Sequence, residues 1–194
     1  HLKDAGHEIH VPERASLTEE VRAAATVLPD ARAVARAAEV VILMVPDTAD
    51  VEAALFGPAG VAEGLSPGKL VIDMSSISPA ATGGFAARIK EKGCDYLDAP
   101  VSGGTEGATA GTLTFMVGGP DEAFAKGQPI LQAMGRTIVH CGGAGAGQAA
   151  KVCNNMMLAA NMIIASEALV LAEKLGLSHQ ALFDVVSKSS GQSW

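Results

Sequence analysis

Apolar positions along this chain fall into short continuous runs separated by stretches of helical spacing. VVILMV from Val40, and Leu70-Val71-Ile72 within KLVIDMS from Lys69, are apolar at successive positions, the pattern of a parallel strand covered on both faces. Residues 7–12, Val27-Leu28, DYLD from Asp95, GTLTFMVGG from Gly111 and TIVHCG from Thr137 read as further extended pieces. Helices are predicted between them. LTEEVRAAA from Leu17 takes Ser16 as its cap, with Glu19 completing a capping box. DARAVARAAE is capped by Asp30. TADVEAALFG ends near Gly57, GVAEGL is a short turn or helix, and SPAATGGFAARIKEKG closes at Gly93. DEAFAKGQPILQAMG follows, then one long helix from Gln148 to about Leu175 and another from Ser178 to Lys188.

Strands alternate with helices through residue 142, and only helices follow. That order predicts an α/β fold, a doubly wound parallel sheet followed by an all-helical domain. The boundary is expected near Gly145, where GGAGAG gives backbone freedom, so that 1–145 and 146–194 form the two domains. HLKDAGHEIHV at the start reads as the last turn of a helix, a stop at Gly6 and then a strand. SSGQSW at the other end lacks a terminating pattern. Both ends suggest an internal, incomplete piece of a longer chain.

With 194 residues, 48% of them apolar, the chain can bury a sizeable core. Net charge is −7 with no Lys/Arg-rich run, which argues against nucleic acid and anionic membrane as partners. The longest apolar runs, VVILMV and MMLAANMIIA, are too short to cross a bilayer. Three cysteines, an odd number without metal-like spacing, suggest a reducing cytoplasm; Cys153 reads as small apolar filling. The histidines share no spacing, so no metal is expected.

Ligands of a doubly wound sheet bind beyond the carboxyl ends of its strands. There stand Pro46-Asp47-Thr48, Ser75-Ser76-Ile77, Val101-Ser102-Gly103-Gly104 and the glycine run. GGAGAG fails the dinucleotide pattern because Gln148 occupies its last position counted from Gly143, so a hinge is the better reading. Glu13 and Arg14 close the first strand, where an acid accepts ribose hydroxyls of NAD and an arginine pairs the extra phosphate of NADP; a solvated pair fits equally. Ser102, Gly103 and Gly104 suit either a tight turn or backbone N–H groups presented to a carboxylate. Gln148, Lys151, Asn155 and Ala159 share one helical face, with Asn154 adjoining. Periodicity favours a solvent-facing lysine. A lysine bordering a cleft is the alternative, in which partial burial lowers its pKa toward acid–base use.

DAPVSGGTEGATAGTLTFMVGG, GAGQAAKVCNNMMLAANMIIASEAL and VIDMSSISP together resemble the β-hydroxyacid dehydrogenase family. Its substrate signature, D-A-P-V-S-G-G, and its catalytic signature, G-x-x-x-K-x-x-x-N, both occur in order. The stretches divide between the 3-hydroxyisobutyrate dehydrogenase and 2-hydroxy-3-oxopropionate (tartronate semialdehyde) reductase types. The resemblance implies a Rossmann-like dinucleotide-binding domain, here without its first strand and glycine loop, and the start of a helical domain. It implies NAD or NADP as cofactor and a small carboxylate substrate. Lys151 would be the general acid/base, and Asn155 would hold substrate or lysine, with Asn154 the second choice. Ser102, Gly103 and Gly104 would bind the carboxylate. Ser76, Val45 and Pro46 would meet the nicotinamide end. A non-catalytic binding module on the same fold is the competing expectation. A 6-phosphogluconate-type substrate would need cationic phosphate ligands that the Lys151 stretch lacks. The apolar face of the long helix points to a homo-oligomer.

Overall fold

The computed structural model describes residues 1–193, in two units: His1–Lys151, and the chain from Val152 onward. Trp194, the last residue of SSGQSW, lies outside the described residues. In the first unit β1 (His10–Pro12) and β2 (Thr26–Leu28) pair in parallel as a two-stranded sheet. The larger sheet contains β3 (Val40–Leu43), β4 (Leu70–Asp73), β5 (Asp95–Asp98), β6 (Val101–Ser102), β7 (Leu113–Gly118) and β8 (Gly135–Gly142). Its order is β3-β4-β5-β7-β6, with β8 also on β7.

The sheet is parallel only in part. β3, β4 and β5 run together, but β7 is antiparallel to β5 and β6, and β8 is parallel to β7. The reason lies in the connection after Ser102. Instead of a full crossover, the chain makes one short helix, α6 (Gly104–Ala110), and turns back. Sequence spacing assigns no helix to that stretch, because GTEGATA has no apolar periodicity. Two other expectations are corrected. α1 (Glu19–Ala24) is capped by Thr18 rather than Ser16, the Thr18 hydroxyl accepting from Val21 N–H. β3 is not covered on both faces: Val41 and Leu43 are buried, whereas Val40 and Ile42 are half-buried and line a cavity of about 480 Å³ with His7–His10 and Ile130.

Each face of the larger sheet carries its own core. On one, Val71 and Tyr96 meet Val51, Leu55, Phe85 and Ile89 from α3 (Thr48–Phe56) and α5 (Pro79–Lys90). On the other, Leu70, Ile72, Leu97, Phe115 and Val117 meet Ala123 and Leu131 of α7 (Asp121–Gln132). Each large side chain so buried contributes about 1.5–3 kcal/mol. α2 (Ala31–Ala37) and α4 (Val61–Gly64) complete the first core, and Asp30, Asp47 and Ser78 cap α2, α3 and α5 through their side chains. Two of these caps, Asp47 and Ser78, therefore stand just beyond β3 and β4, where a ligand would approach.

α8 (Ala146–Lys174) begins in the first unit and runs on into the second, which also holds α9 (His179–Val186), capped by Ser178. Within the second unit Met156, Met157, Ile163, Ile164 and Phe183 are exposed. Over an 18-residue window α8 reaches a mean hydropathy of 1.6, so by length and composition it is long and apolar enough to cross a membrane. The run-length expectation missed this. Alanines and asparagines interrupt the apolar runs without adding charge.

Candidate active site

β5 ends on Asp98, a fully buried carboxylate. Its Oδ1 accepts from Gly145 N–H at 2.8 Å and its Oδ2 from Gln148 N–H at 2.9 Å. Those donors belong to the first turn of α8, whose leading N–H groups have no partner within the helix. The carboxylate caps that turn from across the sheet and complements the positive end of the helix dipole. Close approach requires Gly147: a Cβ there would overlap the main-chain oxygens of Met116 and Asp98. The Gly145 N–H within GGAGAG and the Gln148 N–H that follows it are thus already bound to an internal acid.

Gln148 is buried in the same turn. Its Nε2 donates to Ser75 C=O at 2.7 Å, and its Oε1 accepts from Ile77 N–H at 3.0 Å. Ser75 ties the neighbouring loops together, since its Oγ accepts from Val45 N–H at 3.0 Å and its N–H donates to Asp73 Oδ1 at 2.9 Å. Tyr96 donates its hydroxyl to Asp73 Oδ2 at 2.7 Å. Burial pushes the Asp73 carboxyl up from the usual carboxylate range, and burial beside Asp73 pushes the Tyr96 hydroxyl up as well.

Lys151 follows Gln148 by one helical turn and is half-buried. Its Nζ donates to Val101 C=O at 2.6 Å. The ammonium is therefore held against the strand that leads directly into Ser102, Gly103 and Gly104. Burial, with no charged neighbour contributing, lowers its pKa. Gly103 has φ +133° and Gly104 φ +61°, conformations that side chains resist. Both glycines are exposed, and Ser102 is half-buried. Asn154 and Asn155 lie in the second unit, both exposed, with Asn154 Nδ2 donating to Asn155 Oδ1 at 3.4 Å.

Of the residues expected at a cofactor, Val45 is pinned through its main chain to Ser75, while Pro46 and Ser76 are exposed at the ends of β3 and β4. Arg22 donates to both carboxylate oxygens of Glu13, at 2.9 and 2.5 Å, and holds that carboxyl below its usual range. Arg14 lines a cavity of about 240 Å³ together with Pro12, Leu43, Met44 and Val45. Sequence reasoning does not single out Asp98, Ser75 or Gln148 for these contacts. The available signal is slight: polar residues at the ends of apolar strands, upstream of a glycine run.

Residues 1–143 match the family described as the NAD binding domain of 6-phosphogluconate dehydrogenase. Residues 145–194 match the NAD-binding domain of NADP-dependent 3-hydroxyisobutyrate dehydrogenase. A 2-(hydroxymethyl)glutarate dehydrogenase of Eubacterium barkeri is 46% identical over 161 residues, covering 83% of this chain and 54% of that protein. A 2-hydroxy-3-oxopropionate reductase of Escherichia coli is 44% identical, covering 90% of this chain and 60% of the reductase. Among solved structures, Mycobacterium tuberculosis 3-hydroxyisobutyrate dehydrogenase with L-serine superposes with a TM-score of 0.93 at 43% identity, covering 100% of this chain and 66% of that one. The chain thus spans little more than half the length of these two curated relatives. The signature segments, the mixed sheet with its capped helix, and both family matches agree: the chain belongs to the β-hydroxyacid dehydrogenase family.

Proposed function

We propose that the protein is an NAD(P)-dependent oxidoreductase that interconverts a small β-hydroxy acid and its semialdehyde, with 3-hydroxyisobutyrate or 2-hydroxy-3-oxopropionate as the preferred pair member. The observation that carries this reading is the half-buried Lys151 ammonium on Val101 C=O, one residue from Ser102-Gly103-Gly104. The Ser102 hydroxyl and the N–H groups of Gly103 and Gly104 bind the substrate carboxylate. That contact sets the carbinol oxygen toward Lys151. In oxidation the neutral amine takes the hydroxyl proton as the carbonyl forms. In reduction the ammonium returns a proton to the nascent alkoxide and stabilises its charge. Asn155, or Asn154 in its place, holds substrate or lysine in register. When bound, a nicotinamide supplies the acceptor or donor of the hydride.

The residues present suit such a cofactor. Val45 and Arg14 share one cavity, with Pro46 and Ser76 exposed at the adjacent strand ends. The Glu13 carboxylate is engaged by Arg22, whereas the Arg14 guanidinium has no hydrogen-bond or ion-pair partner among the described residues. An uncommitted arginine at this position favours the 2′-phosphate of NADP. The test is a panel of β-hydroxy acids and semialdehydes, assayed at 340 nm on the full-length protein with each cofactor. Turnover with a C3–C4 substrate and a higher kcat/KM with NADPH than NADH is expected. Tight cofactor binding without turnover of any member would favour the non-catalytic module instead.

All three cysteines are free, which suits the cytoplasm. The exposed methionines and isoleucines of α8 suit burial against a second copy. Sedimentation is expected to give a homo-oligomer, and a clean monomer across micromolar concentrations would remove that part of the reading.

A further inference from the structure

Three side chains of the first unit converge on the turn of α8 that precedes Lys151, and the proposed chemistry uses none of them. Asp98 caps the turn. Gln148 is 1% exposed, and both ends of its amide are satisfied by main-chain groups of the loop after β4. Ser75, in that loop, accepts from Val45 N–H of the loop after β3. A glutamine is a poor choice for a merely apolar contact, because burying its amide requires two matched partners. Here it finds both on one loop, and that loop carries Ser76.

We propose that Gln148 is a positioning residue that locks the lysine-bearing turn of α8 to the Ser75–Ile77 loop, so that Lys151 and the nicotinamide-side residues share one rigid frame. The inference rests on the dehydrogenase reading for its catalytic consequence, but not for its structural content. The chain of contacts runs from Val45 through Ser75 and Gln148 to Lys151 and Val101, every link a hydrogen bond of 3.0 Å or less apart from the single helical turn between Gln148 and Lys151. Asp98 supplies the second tether by holding the same turn from β5. With two tethers the turn can neither slide along its axis nor rotate about it. Lys151 then keeps its carbonyl partner and its partial burial. Among charged groups, Asp98 stands at the same helix end and is bonded to the helix's own N–H groups; burial alone lowers the lysine's pKa.

The test is Gln148→Met, similar in volume and without an amide, in the full-length protein. The first readout needs no cofactor: titration of the Lys151 Cε signal in protein carrying ¹³C-labelled lysine, assigned by its loss in Lys151→Arg. The Gln148→Met signal is expected to titrate at higher pH than wild type, toward an ordinary lysine, because the loosened turn admits water. The second readout is kinetic. A fall in kcat of roughly tenfold or more is expected, with the pH dependence of kcat/KM displaced in the same direction. Gln148→Asn, one methylene short of spanning both partners, should shift both readouts the same way by less, and serves where the methionine variant does not fold. A folded Gln148→Met protein with wild-type lysine titration overturns the proposal. Absence of turnover in the wild type would instead overturn the dehydrogenase reading, leaving the titration to decide the positioning role.

Discussion

Replacing Lys151 by alanine should lower kcat by at least about 100-fold, since a positioned general acid/base is typically worth about 10²–10⁴ in rate. Lys151→Arg should be nearly as slow, because a guanidinium near neutral pH has no neutral form with which to accept a proton. Cofactor affinity, read by fluorescence titration, should change little in either variant, for Lys151 reaches toward Val101, next to Ser102-Gly103-Gly104, rather than toward Val45 or Arg14. The sign of the pH dependence follows from burial. Because the folded protein lowers the lysine's pKa, the amine becomes available at lower pH than in a free lysine. The rate of alcohol oxidation should therefore rise with pH through a value below the ordinary lysine range, and the rate of carbonyl reduction should fall through the same value. Both limbs should vanish in Lys151→Ala. Near-normal turnover in that variant would remove the lysine from the mechanism.

Much of this arrangement is legible in the residues themselves, and the exceptions share a cause. β4 announces itself as an apolar run because both of its faces are covered. Asp30 is a recognisable cap because capping is local. α6 is not legible, since GTEGATA forms a helix between two positive-φ glycines, Gly103 and Gly111, without an apolar stripe. The antiparallel course of β7 depends on that short helix and is lost with it. Lys151 is the instructive case at the site. Spacing places Gln148 and Lys151 on one face and leaves solvent and cleft readings open. What holds the half-buried lysine is a carbonyl fifty residues earlier in the chain, at Val101. Hydrogen bonds across such separations leave no periodic trace. The same holds for Asp98, whose partners are main-chain N–H groups and so have no side-chain signature at all.

The second large effect concerns that acid and falls on stability. A buried carboxylate is an ambiguous element. Where its partners are poor, desolvation outweighs attraction and removal is neutral or favourable. Asp98 is completely buried, yet its two oxygens meet two N–H groups at 2.8 and 2.9 Å, both from a helix end that has no other partner for them. Asp98→Ala leaves both donors unsatisfied in the interior, each at about 1–3 kcal/mol, and opens space beside Gly118 and Gly147, which carry no side chain to fill it. A loss of about 4 kcal/mol follows, a large part of the typical 5–15 kcal/mol that holds a domain together. The measurement is the urea midpoint of the first unit's transition, compared at equal slope. Asp98→Asn, which keeps one acceptor but turns an amide N–H₂ against the other donor, should fall between the two. If Asp98→Ala were as stable as wild type, the carboxylate would be a tolerated burden rather than the anchor of α8, and the rigidity assigned to the lysine's turn would have to come from Gln148 alone.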